Sequence, residues 1–415
     1  MRVSRSLILA GAVLASLVIA SAADAQAITD PTAPPAPPAE KAQRAPSPFS
    51  FTAAYTADIL ADVSGGQAPG EAWIDLVKVS AAFDGAAAGR DGFTGLISVE
   101  HANGADFTGR RVGGFQALSS AEAQPGALRL YEAWVQKEIL DGKGGVKTGL
   151  IDLNTTFDVQ ETAALFLNSS DGTGPDLADT GLNDPSIYPT TALAATAFYR
   201  PAEGWTAQLG IFDSVAGDPD ARGRFVAIKL DGALIIGQVE KRFGDAARIE
   251  GGAWTYTNAF ASLDQFDAPG RARQVHGNGG VYALAEGRLA GRPGVEGAGL
   301  SGWLRIGFAN GDINRADSYL GAGLVYTGLI AGRDKDEIGL AVNRAGFGDG
   351  ARYAGGLLGR QIADAETDFE ATYRYAFKDW LNIQPDVQWV IHPDGDARLR
   401  NAVVVGLRLA FTVSK

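Results

Sequence analysis

The stretch DFEATYRYAF, residues 368–377, alternates between polar and apolar side chains along its first half and keeps aromatic residues at every second position to its end. Phe369, Tyr373 and Phe377 fall on one face of an extended chain, and Asp368 and Glu370 fall on the other. A period of two residues is typical of a β-strand whose two faces meet different environments. The run is also longer than an average strand of about five or six residues.

The same alternation recurs along most of the chain after residue 48. Two architectures explain it, a soluble β-sandwich with a dry core and a membrane barrel with lipid outside and water inside. The polar faces carry Asp, Glu, Arg, Asn and Gln together, which a dry core would bury only at a cost. The clearest alternating segments are 49–59, 368–377, 381–391 and 403–413, and weaker ones are 204–212, 249–256, 300–308, 319–326 and 338–343.

Strand length and strand number both favour the barrel. A strand tilted by about 45° needs about 9–11 residues to cross a bilayer. Residues 49–415, divided by roughly 20–25 residues for each strand and its connection, give about 16 strands. A barrel of that size encloses an aqueous channel and leaves no unpaired edge in lipid. The sequence therefore predicts an all-β fold, a transmembrane antiparallel β-barrel of 16 strands with a water-filled lumen.

The N-terminus divides the chain further. Arg2 and Arg5 precede an apolar run from Leu7 to Ala20, and two A-x-A sites follow, at residues 23–25 and 25–27. This pattern predicts a secretory signal peptide over residues 1–27. Residues 28–48 carry seven prolines and predict a stiff periplasmic linker, because proline favours extended structure. The barrel is expected over residues 49–415.

Composition excludes several functions. The chain has no cysteine, so disulfides, thiolate metal sites and cysteine nucleophiles are ruled out. The net charge of −12 argues against a nucleic-acid-binding surface. One G-x-G-x-x-G match at residues 297–302 lacks a Rossmann context, and the three histidines show no H-E-x-x-H spacing. We therefore predict no catalytic residue, no metal site and no cofactor.

Several segments carry a resemblance to a known family. They are YEAWVQKEILDG (residues 131–142), KTGLIDLNTTFD (147–158), NSSDGTGPD (168–176) and the stretches 186–214, 373–395 and 401–411. WLNIQPDVQWVI (380–391) is the most specific match. The chain resembles the carbohydrate-selective porins of Gram-negative outer membranes over roughly residues 130–215 and 365–411. The resemblance implies a 16-stranded barrel through which sugars diffuse. One departure is that Phe411 is followed by four more residues, where many outer-membrane barrels end on an aromatic residue.

Candidate sugar-contacting residues follow from polarity and alternation. A sugar pore needs groups that pair with hydroxyls and flat aromatic faces for the sugar ring. On residues 128–138 the polar face holds Glu132, Trp134 and Gln136, although Trp134 also fits an interfacial aromatic belt. Further candidates are Asp152 and Asn154, which face inward if Ile151 and Leu153 face outward, and Arg129, which would oppose the acids together with Arg110 or Arg111.

Residues 167–184 lack alternation and are rich in Asn, Ser, Gly and Asp. They predict an extended loop of the kind that folds into a porin and narrows it. The spacing of the acids does not match a calcium loop, so a solvated acidic loop is the better interpretation.

Four functions remain open from the sequence. The first is a passive sugar porin in the outer membrane, whose partners are carbohydrate solutes within and lipid and lipopolysaccharide around it. The second is a general or cation-preferring porin of the same shape, favoured if the acidic charge concentrates in the lumen. A barrel enzyme lacks an identifiable Ser–His pair, and a secreted β-sandwich lectin would need no detergent. The sequence does not define the oligomeric state.

Overall fold

The computed structural model describes residues 47–104, 106–123, 128–217, 224–295 and 297–415. The predicted signal peptide and all but the last two residues of the predicted linker lie outside the described residues. The described chain forms a compact unit from Ser47 to Lys415.

Sixteen antiparallel strands close into a barrel, as the alternation predicted. Each barrel strand pairs with its sequence neighbours, except that β9 pairs with β12, and β1 closes the ring against β18. The strands are β1 (Phe49–Gly66), β2 (Gly70–Asp84), β3 (Phe93–Asn103), β4 (Leu128–Ile139), β5 (Gly144–Ile151), β6 (Ala192–Tyr199), β7 (Trp205–Asp213), β8 (Ala233–Phe243), β9 (Ala247–Tyr256), β10 (Phe260–Ala268), β11 (Arg271–Val275), β12 (Gly279–Gly291), β13 (Gly299–Ala309), β14 (Ala316–Thr327), β15 (Glu337–Phe347), β16 (Ala365–Lys378), β17 (Leu381–Ile391) and β18 (Arg400–Ser414).

The connections at the two ends of the barrel differ in length. At the end that holds the first residue of β1 and the last of β18, the turns are short; we call it the short-turn end. The opposite, long-loop end carries the β10–β11 hairpin, the helices α1 (Pro175–Ala178) and α2 (Asp349–Leu357), and most of the single-turn helices. The single turns are Ala86–Ala88, Thr108–Val112, Leu153–Thr155, Thr162–Leu165, Ser169–Asp171 and Pro393–Gly395. Among the described residues, the helices are all too short or too polar to cross a bilayer.

The outer wall is apolar and aromatic. Phe369 and Trp389 on neighbouring strands stack with ring centroids 5.8 Å apart, and both are exposed. Near the short-turn end, Phe411 packs against Tyr55 and Trp380. This arrangement matches the aromatic girdles of membrane barrels. Strand β18 continues past Phe411 to Ser414 and stays paired with β1.

The polar faces point inward, also as predicted, but much of the inner wall is covered by loops. Asp368 and Glu370 are almost fully buried inside the barrel rather than lining open water. The covering comes from residues 152–191 between β5 and β6, here called the long loop, and from the β3–β4 loop. The two loops also pair with each other, since the amide of Ser120 donates to the carbonyl of Leu167 at 2.6 Å.

Candidate functional site

The long loop is fixed inside the barrel by glutamates of the wall. Glu370 on β16 accepts the backbone N–H of Leu167 at 2.6 Å and that of Asn168 at 3.0 Å, one on each carboxylate oxygen. A buried carboxylate satisfied in this way is a strong anchor, because hydrogen bonds to charged groups exceed neutral ones in strength. The same arrangement joins Glu286 to the amides of Glu161 and Thr162, and Glu366 to those of Phe115 and Gln116.

A buried arginine ties the centre of the same loop to β13. Arg305 donates to both carboxylate oxygens of Asp158, at 3.0 and 2.8 Å, and also pairs with Asp176. The ring centroids of Tyr282 and Tyr319 lie 5.5 and 5.1 Å from its guanidinium carbon. The two carboxylates and two rings replace the water that a buried guanidinium loses.

Glycine makes room for this ion-pair network. A Cβ on Gly307 would come within 2.0 Å of an Asp176 oxygen, and one on Gly174 within 2.6 Å of the Tyr319 ring. Any side chain at either position would displace the Arg305–Asp176 pair. The sequence therefore needs glycine on both the strand and the loop at this contact.

Three predicted site residues lie together on β4 and face the interior. The indole N–H of Trp134 donates to Glu132 at 3.1 Å, and the ammonium of Lys147 on β5 lies 5.0 Å from the Trp134 ring centroid. Glu132 is nearly buried, whereas Trp134 and Gln136 are half-buried. Trp134 is thus on the inner wall and not in the outer belt.

Arg129 and Asn154 hold the long loop. Arg129 donates to the carbonyl of Pro189 at 2.9 Å. The amide nitrogen of Asn154 donates to the carbonyls of Asp158 and Gly172, at 2.9 and 3.1 Å. Neither side chain spans the lumen opposite Trp134 in the way that the sequence suggested for Arg129.

The expectation that Ile151 and Leu153 face outward is wrong. Both are fully buried inside the barrel and pack in one cluster with Phe157 of the long loop. Strand β5 ends at Ile151, and Asp152 caps a helical turn by accepting the amide of Asn154 at 2.9 Å. The period of two residues therefore stops at Ile151, and alternation no longer predicts which way the next side chains point.

Asp152 nevertheless lies on the same inner wall. It accepts a hydrogen bond of 2.6 Å from the hydroxyl of Tyr131 on β4. Burial raises the pKa of Asp152 to about 6, partly offset by the Tyr131 hydrogen bond and reinforced by the nearby Glu132. Lys78 pairs with Glu100 at 3.2 Å next to this group. The wall of β2 to β5 thus brings carboxylates, lysines and two aromatic rings together.

A cavity of about 900 Å³ lies between this wall, strands β6 to β9 and the long loop. It extends to the turns at residues 140–143 and 200–204, at the short-turn end. Of the predicted site residues, Gln136 lines it. Sequence reasoning missed Lys147, Gln208 and Glu250, although alternation with the exposed Val146, Leu209 and Ile249 was a usable signal.

Among the described residues, no group of three or more His, Asp or Glu side chains has the geometry to hold a metal ion. The chemistry that the interior offers is hydrogen bonding through carboxylates and amides, together with stacking on aromatic faces. These are the contacts that orient a polyol without reacting with it.

A closed 16-stranded barrel with an apolar outer wall, a polar inner wall and an inward loop defines a porin. The profile of the family described as "Carbohydrate-selective porin, OprB family" matches residues 75–413. The chain belongs to this family, so it is an outer-membrane channel for carbohydrates and not an enzyme.

Similar proteins agree with this assignment. Porin B of Pseudomonas aeruginosa is 24% identical over 357 residues, which cover 75% of each chain. The high-pH structure of Pseudomonas putida OprB superimposes with a TM-score of 0.78 at 19% identity, covering 88% of this chain and 94% of that one. A mutant of the Rh. blastica porin shares the fold with a TM-score of 0.51 at 11% identity, covering 88% of this chain and all of the other.

Proposed function

We propose that carbohydrates diffuse passively through this barrel into the periplasm and contact Trp134, Gln136, Glu132 and Asp152 on the way. The observation that carries the proposal is the placement of Trp134. Its ring lies on the inner wall, oriented by Glu132 and flanked by Lys147, so that an apolar face and polar partners meet at one place. Such a face suits the C–H side of a sugar ring, and the flanking groups suit its hydroxyls.

Groups that can hydrogen-bond to the hydroxyls of a sugar continue along the cavity from Trp134 toward the short-turn end. Gln208 accepts a hydrogen bond from Gln238 at 2.7 Å, which leaves its own amide N–H groups for a solute. Glu250 lines the same cavity, where its carboxylate pairs with Arg248 at 3.1 Å. Each contact exchanges for water at small net energy, which keeps binding weak enough for release.

The orientation of the barrel in the outer membrane follows from the lengths of the connections between strands. Membrane barrels of this type place short turns in the periplasm and long loops outside the cell. We therefore place the short-turn end in the periplasm and the long-loop end toward lipopolysaccharide. Residues 1–27 would direct export and be removed, which N-terminal sequencing of the membrane-bound protein would test.

Liposome swelling tests the transport itself. Proteoliposomes of the purified protein are diluted into isotonic solutions of glucose, of larger oligosaccharides and of an uncharged non-sugar polyol of similar size. Faster swelling in sugar than in the matched polyol would support sugar-selective diffusion. Equal rates for solutes of equal size would contradict it and favour a general porin.

A cation-preferring porin remains the second candidate, because acids outnumber bases on parts of the inner wall. Asp171, Asp368 and Asp386 each have a buried carboxylate oxygen without a hydrogen-bond partner. The reversal potential in a sodium chloride gradient distinguishes the two candidates. Strong cation selectivity without a sugar effect would favour the second.

A further inference from the structure

The charges that line the cavity are not all paired. Arg248 forms ion pairs with Glu240 at 2.8 Å and with Glu250 at 3.1 Å, and Arg242 pairs with Glu161 and Glu240. Within the described part of the chain, the other three cations of the cavity form no ion pair with a carboxylate. They are Lys143, Lys147 and Arg200.

Two of the three cations are held by neutral groups instead. Lys147 donates to the hydroxyl of Thr156 at 2.8 Å. Arg200 donates to the carbonyl of Gly142 at 2.9 Å, and its guanidinium carbon lies 4.4 Å from the ring centroid of Phe198. The stacked guanidinium is preorganised, so less conformational entropy is lost when it binds an anion.

All three lie on or directly beside the paired strands β5 and β6, toward the short-turn end of the barrel. Lys143 ends the β4–β5 turn and Arg200 begins the β6–β7 turn, and the two lie side by side, since the amide of Arg200 donates to the carbonyl of Lys143 at 2.7 Å. Lys147 lies four residues further along β5, roughly 13 Å deeper at the usual rise of a strand. A solute that enters from the short-turn end therefore meets two cations at the mouth and a third inside.

Between the two cations at the mouth and Lys147 inside, the same cavity offers groups that can hydrogen-bond to sugar hydroxyls. Gln136 pairs in register with Lys147, and Gln208 and Glu250 face it from β7 and β9. Beyond them, the long loop forms the upper limit of the cavity at Thr155 to Glu161. Unpaired cations next to side-chain amides are the groups that a carboxylated sugar would need.

We infer that this cavity binds monosaccharides that carry a carboxylate, and that such solutes enter from the short-turn end and obstruct the channel. The inference rests on the proposed sugar pore, because it assumes that the cavity lies on the conducting path. From the other end an anion meets Glu100, Glu132 and Asp152 first, whose charges oppose its entry. The block therefore depends on the side of the membrane to which the solute is added.

The test uses the full barrel in a planar bilayer, with sodium gluconate added to one side at constant sodium concentration. Sodium acetate and glucose serve as matched probes, the first with a carboxylate but no sugar chain and the second with a sugar but no charge. We expect gluconate to reduce the current from one side at concentrations where acetate does not. Equal block from both sides, or equal block by acetate, would overturn the inference.

Variants assign the block to these cations. Arg200→Cys and Lys143→Gln should each weaken gluconate block by about tenfold, the usual loss for a hydrogen bond to a charged group. Because the chain has no other cysteine, a positively charged methanethiosulfonate reagent can return a cation to position 200 and should restore the block. A negatively charged reagent should not.

Lys241→Gln is the control, since Lys241 lies outside the cavity lining and donates to the carbonyl of Glu203. Unchanged gluconate block in Arg200→Cys would contradict the site, whatever glucose does. Absence of glucose block in the unmodified protein would instead contradict the proposed sugar pore. Failure of the anion site and failure of the sugar pore therefore give different results.

Discussion

Arg305 and Asp158 are 147 residues apart in sequence and form a doubly hydrogen-bonded ion pair inside the barrel, with both side chains fully buried. The pair joins the first part of the long loop to β13, a strand far from β5 and β6, which flank the loop. The position of the loop in the lumen therefore depends on a contact that crosses the barrel.

Arg305→Ala should release the long loop and increase single-channel conductance. Removing one partner of a buried pair costs about 3–5 kcal/mol, because the remaining carboxylates stay buried without a cation. Planar-bilayer recording provides the measurement. Arg344→Ala is the matched control, since Arg344 is exposed and its side chain donates to the hydroxyl of Thr367 on the next strand. An Arg305→Ala channel with the conductance of the unmodified protein would contradict this role.

Glu370→Gln should expose the loop amides that Glu370 accepts. The amide group of glutamine retains one acceptor oxygen, so one of the N–H groups of Leu167 and Asn168 loses its partner. Exchange of those amides with deuterium should accelerate roughly tenfold or more, as a buried donor left unpaired costs about 1–3 kcal/mol. Mass spectrometry of the exchange gives the rate for each peptide.

Glu366→Gln is the reciprocal control for that prediction. It should accelerate exchange at Phe115 and Gln116 and leave the Leu167 segment unchanged. If both variants affect both segments equally, the glutamates stabilise the barrel in general and do not anchor separate loops.

Trp134→Ala should weaken current block by glucose roughly threefold to tenfold, the loss expected for one aromatic stacking contact. The glucose concentration at half-block is the quantity to measure. Trp389→Ala removes the same side chain from the outer wall, where Trp389 stacks on Phe369, and should leave the half-block concentration unchanged. A similar effect of the two substitutions would remove Trp134 from the sugar path.

The raised pKa of Asp152 predicts that the ion selectivity of the channel depends on pH. Its pKa is raised from the usual value near 4 to about 6, so in the folded channel it gains its negative charge as pH rises through 6. Because the folded state binds this proton more tightly than the unfolded state, Asp152 contributes less to stability as pH rises from about 4 to about 6. The sodium-to-chloride permeability ratio should increase between about pH 5 and about pH 7.5.

The Asp152→Asn variant isolates that contribution. It should show a smaller increase of the permeability ratio over the same range, measured from reversal potentials. The hydrogen bond from the Tyr131 hydroxyl can still be accepted by the amide oxygen, so the wall keeps its local structure. The same pH response in the variant and in the unmodified protein would show that other groups carry it.

The barrel, with its apolar outer face and polar inner face, was predictable because alternation is a local property of the sequence. Phe369 faces outward and Asp368 inward for a reason that the neighbouring residues already contain. The burial of Glu370 beneath a loop was not predictable in the same way. It depends on a contact across some 200 residues of sequence, and nothing near Glu370 specifies which amides it will accept.

The candidate site shows the same division. Glu132, Trp134 and Gln136 lie on the regular part of β4 and face inward as alternation requires. Ile151 keeps the alternation of β5 and shares the inner face of Lys147, so its apolar character was the misleading signal. Leu153 was assigned wrongly because β5 ends one residue before Asp152, and the end of a strand beneath a loop leaves little trace in sequence. The contacts that hold Arg129 and Asn154 to the loop were equally invisible.

Single-channel current recorded while glucose is titrated tests the central claim most directly. The account predicts an open channel whose current falls saturably with glucose, because the sugar occupies the path beside Trp134. A current that changes only as much as the bulk conductivity of the solution, or a protein that forms no channel, would contradict it.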